Sequence, residues 1–314
     1  MTALNASQLA AFAAIVRNGS FESAAKCLYV TSSAISQRLK QLEDSLGQVL
    51  VVRDTPCRPT AAGRELLRHA IQVELLEQEL FENLGLDDGD GRKPVSVPVA
   101  VNADSLDGWF RDAFEETCNN ARIVLDVRVE DQNHSAYLLR DGEVMAAVSA
   151  SPMAVQGCSV EYLGSMRYLA LSTPSFWDQY FGAGVNADTL AKAPVLVYNA
   201  KDGMQADFIE SLTARRMQPP SHFVPSTPAF LHIARRGLGW GMIPEHMAKD
   251  FVASGELVEI HPGAHFDIKL YFHRWQVQSS ALDVLSNAVR TAARQLVQKC
   301  GFGQPSQRVP ASCQ

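Results

Sequence analysis

The sequence has no hydrophobic run long enough to cross a membrane, which takes about 20 predominantly apolar residues. Its N-terminus also has no basic segment followed by an apolar one, so no secretory signal is predicted. We therefore expect a cytoplasmic protein with no membrane partner.

The six cysteines follow no ligand pattern, because the chain has neither a CxxC pair nor the Cys/His spacing of a zinc site. No metal and no cofactor are therefore predicted. A redox role for Cys118 and Cys158 is an alternative, but isolated cysteines are more often inert buried thiols. The other four are Cys27, Cys57, Cys300 and Cys313.

Sequence signatures of catalysis are absent as well. The chain has no GxSxG nucleophile elbow, no HExxH metal pair and no GxGxxG segment directly after a strand. The glycine-rich residues 237–241 follow a predicted helix, which favours a tight turn over a phosphate-binding loop. The sequence therefore predicts no catalytic residue, and an enzyme is the disfavoured hypothesis.

Positive charge is also scarce, with a formal net charge of −6 at pH 7. This balance argues against a protein that coats polyanions without specificity. Residues 1–64 depart from it, since seven Lys or Arg against four Asp or Glu leave a local net charge of +3. Attraction to nucleic acid is therefore focused on the N-terminal segment, and one such segment alone would bind weakly.

Apolar residues recur at helical spacing in three short N-terminal segments, which predicts three helices around one small core. Asn18 and Gly19 end the first helix, and Ser20 can cap the second. A β-rich run and its return at residues 49–60 complete a winged helix-turn-helix. The apolar positions are Leu9, Phe12, Ile15, Val16, Phe21, Ala24, Ala25, Leu28, Ile35, Leu39, Leu42 and Leu46.

The third predicted helix turns a polar face to solvent, because its apolar residues point inward. Such a helix fits the major groove of B-DNA, and Gln37 is the main candidate to contact a base, since glutamine can form two hydrogen bonds to adenine. The wing arginines can contact phosphate or the minor groove. The alternative is a plain helical bundle with solvated arginines. The predicted DNA-binding residues are Ser33, Ser36, Gln37, Lys40, Arg53 and Arg58.

Residues 61–84 are predicted to form one long helix with an apolar stripe. A helix between two domains has little core to cover such a stripe, so a second copy of the chain is the expected partner. Packing against its own chain is the alternative. The stripe consists of Leu66, Ala70, Val73, Leu76, Leu80 and Leu84.

After an Asp- and Gly-rich hinge, strand-like and helix-like segments alternate, which predicts open α/β sheets. We expect strands at residues 95–101, 124–130, 145–150, 168–172, 195–198, 222–224 and 268–273. Helices are expected from Ser105, at 204–217, at 228–236 and at 281–299.

Sheets of this kind bind ligands at the carboxyl ends of their strands. Ser105 and its neighbouring amides suit a carboxylate, whereas the acids at these positions suit ammonium or guanidinium groups. A small zwitterion with an extra positive charge would match both. Each residue has an alternative role as a helix cap, a strand-end charge or a turn former. The predicted ligand-binding residues are Asn102, Asp104, Ser105, Glu130, Asp131, Asn199, Asp202 and Thr227.

Two N-terminal segments resemble the signature of LysR-type transcriptional regulators. They are SFESAAKCLYVTSSAISQRLKQLEDSLGQVLVVR at residues 20–53 and RPTAAG at 58–63. AVNADS at 100–105 and VEDQ at 129–132 are similar to the ArgP/LysG subgroup, which senses basic amino acids and controls their export and metabolism. The resemblance implies that Ser33, Ser36, Gln37 and Arg58 contact DNA.

The resemblance further implies how the chain is divided. The expected parts are a winged helix-turn-helix at 1–60, a dimerising linker helix at 61–84, a hinge at 85–94, an effector-binding domain at 95–302 and a disordered tail at 303–314. The effector-binding domain would resemble a type 2 periplasmic binding protein, with α/β subdomain I at 95–162 and 268–302 and α/β subdomain II at 163–267. The chain would cross between them near residues 162–164 and 266–267.

By the same resemblance, the expected partners are double-stranded promoter DNA, lysine or arginine as effector, and the chain itself as a homodimer or homotetramer. RNA polymerase is a further candidate partner. An architectural DNA-binding protein without an effector is the alternative.

Overall fold

The computed structural model describes residues 4–84, 94–119, 123–130 and 135–296. The predicted tail, and the predicted hinge apart from Pro94, lie outside these residues. None of the described helices is both long and apolar enough to cross a membrane.

Three helices form the N-terminal head: α1 (Ala6–Asn18), α2 (Phe21–Cys27) and α3 (Ser32–Leu46). Asn5, Ser20 and Thr31 cap them, because each side-chain oxygen accepts a hydrogen bond from an amide in the first turn of the helix that follows. The apolar faces meet in a small core whose fully buried members include Phe12, Ile15, Ile35, Leu39 and Leu42.

A small wing completes the head. Strands β1 (Val51–Val52) and β2 (Arg58–Pro59) pair antiparallel, and Thr60 caps the next helix by accepting a hydrogen bond from the Gly63 amide at 3.0 Å. Gly63 lies directly against the wing, since a Cβ at this position would be 2.1 Å from the Leu50 carbonyl oxygen. The RPTAAG segment therefore needs glycine where the long helix meets the wing.

The linker helix α4 (Ala61–Asn83) packs on its own chain as far as Leu75. Leu67, Ala70, Ile71 and Leu75 are buried there, together with Leu66. The predicted stripe is therefore divided: Leu66 and Ala70 are covered within the chain, which corrects the expectation that the whole stripe awaits a second copy. Its distal members Leu76, Leu80 and Leu84 are exposed.

The linker helix also contacts the rest of the chain. Arg64 pairs with Asp141 at 3.1 Å, and Arg68 donates a hydrogen bond to the Gln156 carbonyl oxygen at 3.3 Å. Arg17 of α1 pairs with Glu74 of α4 at 2.7 Å. These contacts connect α4 to both the head and the α/β part.

The α/β part is built on a seven-stranded sheet. Its strands are β3 (Val95–Val101), β4 (Ile123–Val129), β5 (Ala146–Ser149), β6 (Cys158–Ser172), β9 (Gly241–Pro244), β10 (Val258–Glu259) and β11 (His265–Trp275). They are arranged in the order β10-β6-β11-β5-β3-β4, with β9 paired to β6. A second, two-stranded sheet pairs β7 (Val195–Val197) with β8 (Ser221–Phe223) in parallel.

The long antiparallel pair β6 and β11 runs through both halves of this part. Its register shifts between Leu270 and Tyr271, opposite Gly164, whose φ is 141°. We use subdomain I for the elements on the β3–β5 side of this irregularity and subdomain II for those on the β7–β10 side. This irregularity lies beyond residues 266–267, near which the return crossing is expected.

Helices cover both subdomains. Subdomain I carries α5 (Ala103–Leu106), α6 (Phe110–Asn119), α7 (Ser135–Arg140), α13 (Ser280–Ala292) and a 3-10 helix (Ala293–Gln295). Subdomain II carries α8 (Pro174–Phe181), α9 (Ala187–Lys192), α10 (Met204–Thr213), α11 (Thr227–Arg235) and α12 (Glu245–Ala253). The helix expected at 204–217 ends at Thr213, because Ala214 takes a left-handed conformation with φ of 54°.

We expect Gly63→Ala to lower the free energy of unfolding by about 1–3 kcal/mol, because the added methyl group would overlap a backbone carbonyl that cannot move without distorting the wing. Urea unfolding monitored by circular dichroism measures this change. His69→Ala, an exposed substitution on the same helix, is the matched control. Equal stability of the two variants would contradict the close contact.

Candidate DNA-binding face and ligand cavity

The exposed face of α3 carries the predicted DNA-binding residues of this helix. Ser33, Gln37 and Lys40 are exposed and Ser36 is half-buried, opposite the buried Ile35. The Ser33 hydroxyl lies 2.9 Å from that of Thr31, whereas Gln37 and Lys40 form no hydrogen bond or ion pair within the described residues. Both long side chains are therefore available to an outside partner.

The two wing arginines differ in their surroundings. The guanidinium of Arg53 lies over the Phe21 ring, 5.1 Å from its centroid, so a cation–π contact orients it. Arg58 is exposed on β2. Together with the α3 face, they form a polar and basic surface on the otherwise acidic chain.

A cavity of about 410 Å³ lies between the two subdomains. Its wall combines residues that follow strands of subdomain I with residues of subdomain II. The wall residues are Asn102, Ala103, Asp104, Val129, Glu130, Tyr168, Tyr198, Asn199, Ala200, Lys201, Asp202, Met204, Gln205, Thr227, Phe230, Leu231, Met242, Ile243, Pro244 and Met247.

The carboxylate of Asp104 spans the two subdomains. It accepts hydrogen bonds from the hydroxyl of Tyr168 at 2.6 Å and from that of Thr227 at 3.0 Å, both in subdomain II. Burial raises its pKa above the ordinary 3.8, although the two hydrogen bonds act in the opposite direction. Among the described residues, no Lys, Arg or His nitrogen lies within 4.0 Å of its oxygens.

Five more of the predicted ligand-binding residues contribute to the cavity wall: Asn102, Glu130, Asn199, Asp202 and Thr227. Asn102 occupies the N-cap position of α5 but forms no capping hydrogen bond, and its Oδ1 is buried without a partner in the described structure. A buried acceptor in this condition destabilises the ligand-free state.

Two predictions do not reach the wall. The Ser105 side chain is fully buried, its Oγ has no hydrogen-bond partner among the described residues, and it is not part of the wall. The reason is helical geometry: α5 turns by about 100° per residue, so a helix that directs Asp104 to the cavity directs Ser105 to the core. Asp131 lies outside the described residues.

Asn199 and Asp202 act as turn formers in the loop after β7. Asn199 Oδ1 accepts a hydrogen bond from the Lys201 amide at 2.8 Å. The two carboxylate oxygens of Asp202 accept hydrogen bonds from the amides of Tyr198 and Met204, each at 3.0 Å. Both side chains thus hold the loop, as the alternative interpretation of the sequence proposed.

Sequence reasoning missed several wall residues. Tyr168 lies in the middle of β6 and Gln205 on α10, so a rule about strand ends cannot find them. Lys201 follows a predicted strand, so the strand-end rule covers its position, but it is not among the predicted residues. Apolar wall residues such as Phe230 and Met242 carry no distinguishing pattern.

Other candidate chemistries find little support. Within the described residues, no group of three or more His, Cys, Asp or Glu side chains could hold a metal ion. Burial raises the pKa of the Cys158 thiol to about 11, so this cysteine is a poor source of thiolate.

A winged helix-turn-helix joined to a ligand cavity between two subdomains defines a DNA-binding regulator with an effector-binding domain. Two family models match the chain: the bacterial regulatory helix-turn-helix protein of the lysR family over residues 6–64, and the LysR substrate binding domain over residues 112–299. The chain belongs to the LysR family and is a transcriptional regulator rather than an enzyme.

Individual relatives agree with this assignment. HTH-type transcriptional regulator LysG of Mycobacterium bovis is 43% identical over 307 residues, which cover 98% of each chain. The crystal structure of ArgP from Mycobacterium tuberculosis has a TM-score of 0.84 and 44% identity, covering 94% of this chain and 99% of that one. Full-length LysG from Corynebacterium glutamicum with bound effector Arg has a TM-score of 0.77 and 36% identity, covering 94% and 100%. The predicted fold class and the LysR resemblance are therefore confirmed.

We expect Asp104→Asn to raise the free energy of unfolding at pH 7. Because the pKa of Asp104 is raised in the folded chain, the ionised carboxylate lowers the free energy of unfolding at neutral pH. This unfavourable contribution fades as the pH falls through the raised pKa towards 3.8. The advantage of the variant should therefore shrink on acidification. Urea unfolding at pH 7 and at a series of lower pH values measures it.

Asp178→Asn, an exposed substitution on α8, is the matched control for the loss of one carboxylate. A loss of stability in the Asp104 variant at pH 7 would mean that the ionised carboxylate stabilises the ligand-free chain.

Proposed function

We propose that the chain is a LysR-type regulator whose effector is a basic amino acid, lysine or arginine, and that it controls genes for the export or metabolism of such amino acids. The observation that carries the proposal is Asp104, a largely buried carboxylate on the cavity wall with two neutral donors and no basic partner among the described residues. A cationic ligand would supply the missing charge.

The remainder of the wall suits the same ligand class. A cavity of about 410 Å³ is within the usual range for small-molecule sites. Met204, Phe230 and Met242 offer apolar surface for the methylene groups of a long side chain. The relatives named LysG and ArgP, and the LysG structure with bound Arg, support the proposal by similarity.

For the head we propose that α3 enters the major groove of promoter DNA. Gln37 would contact a base edge, while Ser33, Ser36 and Lys40 would contact the backbone. Arg53 and Arg58 of the wing would contact phosphate or the minor groove. The modest local charge of +3 favours binding by two or more heads at once.

We further propose a homodimer or homotetramer, in which the exposed Leu76, Leu80 and Leu84 of α4 are covered by another copy. Effector binding would favour one setting of the two subdomains and, through the assembly, one arrangement of the heads on DNA. RNA polymerase is a candidate partner of that complex. We propose a cytoplasmic location, because the proposed partner is promoter DNA.

L-Arginine or L-lysine should raise the melting temperature of the purified full-length chain, because a ligand at about 100 times its Kd stabilises by about 2.7 kcal/mol. Asp104→Asn should remove the ligand-induced rise, even though this variant starts from a higher stability. Asp178→Asn should keep it. Differential scanning fluorimetry against a panel of amino acids measures all three proteins.

No rise with either amino acid in the unmodified chain would reject the proposed effector. If DNA footprints upstream of its own gene and its divergent neighbour were also indifferent to every amino acid, the architectural alternative would be favoured. A rise that persists in Asp104→Asn would leave the effector class intact but remove Asp104 from its recognition.

Gln37→Ala should lower the preference for the target site over unrelated DNA by about 1–3 kcal/mol. Arg58→Ala should weaken binding to the target site and to unrelated DNA alike, and should reduce the slope of log affinity against log salt concentration by about one unit. Fluorescence anisotropy at several salt concentrations separates the two effects. Gln179→Ala, exposed on α8, is the matched control for the glutamine. Unchanged site preference in the Gln37 variant would overturn its role as a base reader.

A further inference from the structure

The ligand cavity presents more acidic than basic side chains. Its wall contains the carboxylates of Asp104, Glu130 and Asp202, and among the described wall residues Lys201 is the single Lys, Arg or His. An amino acid that enters this cavity brings a carboxylate as well as its amino groups. That carboxylate needs a partner in a largely acidic surrounding.

The expected carboxylate partner does not serve this purpose. Ser105 is fully buried and lies off the wall, and α5 has only four residues, too few for a helix terminus to be a site by itself. Another group on the wall is therefore needed for the ligand carboxylate, and Lys201 is the single cation among the described wall residues.

The loop that carries Lys201 is held rigidly. Its turn is closed by the hydrogen bond from the Lys201 amide to Asn199 Oδ1 at 2.8 Å and by the one from the Asp202 amide to the Asn199 carbonyl oxygen at 3.1 Å. The Asp202 carboxylate then ties both ends of the loop through the amides of Tyr198 and Met204. The backbone of Lys201 is thus fixed at the cavity wall.

The charge of Lys201 is uncommitted. Its ammonium forms no ion pair with any described residue, and the adjacent Asp202 already accepts a hydrogen bond from a backbone amide at each carboxylate oxygen. Lys201 is exposed, so its flexible side chain can turn towards the cavity at little cost.

We propose that Lys201 binds the α-carboxylate of the effector and is the residue that distinguishes an amino acid from the corresponding amine. This inference rests on the proposed basic amino-acid effector. Asp104 and Glu130 belong to subdomain I, whereas Lys201 belongs to subdomain II. A ligand whose amino or guanidinium group meets the first and whose carboxylate meets the second connects the two subdomains.

The test compares L-arginine with agmatine, which is the same molecule without its carboxylate, on the full-length chain. The unmodified protein should bind arginine more tightly than agmatine. Lys201→Met should weaken arginine binding about tenfold or more, as expected for the loss of a charge-assisted hydrogen bond, and should leave agmatine binding unchanged. Isothermal titration calorimetry gives both affinities.

Two further variants sharpen the test. Lys192→Met, at an exposed lysine of α9 away from the cavity wall, should preserve the preference for arginine. Lys201→Arg should restore most of it, because a guanidinium also pairs with a carboxylate. L-Lysine against cadaverine repeats the comparison with the other candidate effector.

Each other outcome is decisive. An equal loss of arginine and agmatine binding in Lys201→Met would make Lys201 a structural residue and overturn the inference. Retained preference for arginine in that variant would overturn it as well. If the unmodified chain bound neither arginine nor lysine, the proposed function would fail first, and the inference with it.

Discussion

The carboxylate of Asp104 is the constraint on which the ligand-binding half depends. It follows β3 in subdomain I, yet both of its hydroxyl donors, Tyr168 and Thr227, lie in subdomain II. Two neutral donors satisfy its hydrogen bonding without cancelling its charge. Its pKa is raised because burial makes the charged form unfavourable despite these hydrogen bonds. The junction of the two subdomains therefore holds an unbalanced negative charge, so a cation that enters the cavity changes the energy of the junction itself.

Strands β6 and β11 and helix α4 connect the junction of the two subdomains to the N-terminal head. Strands β6 and β11 run through both subdomains, so relative movement is concentrated at their irregularity near Gly164 and Leu270. Subdomain I holds α4 through the pair Arg64–Asp141, and α4 meets the wing at Gly63 with almost no clearance. Because α4 is one continuous helix, a rotation of subdomain I would be delivered to the wing as a rigid movement.

Local patterns in the sequence were enough for the head and for most elements of the α/β part. Caps at Ser20 and Thr31 and the helical spacing of apolar residues depend only on near neighbours. The long strands were different: only residues 168–172 of β6 and 268–273 of β11 were expected, because pairing between distant segments leaves no local signal. The strand-end rule brought Asn102, Asp104, Glu130 and Thr227 to the wall, but it could not see that one residue of helical rotation buries Ser105.

Charge counted along a sequence also differs from charge available to a ligand. Asp202 looked equivalent to Asp104, but its two oxygens are occupied by backbone amides, while those of Asp104 meet only hydroxyls. The Asp104 carboxylate in subdomain I therefore lacks a positively charged partner among the described residues, and the Lys201 ammonium in subdomain II lacks a negatively charged one. A molecule with one kind of charge can satisfy only one side. A zwitterion can satisfy both, so it should bind most tightly to the setting that brings the two sides within reach of one ligand.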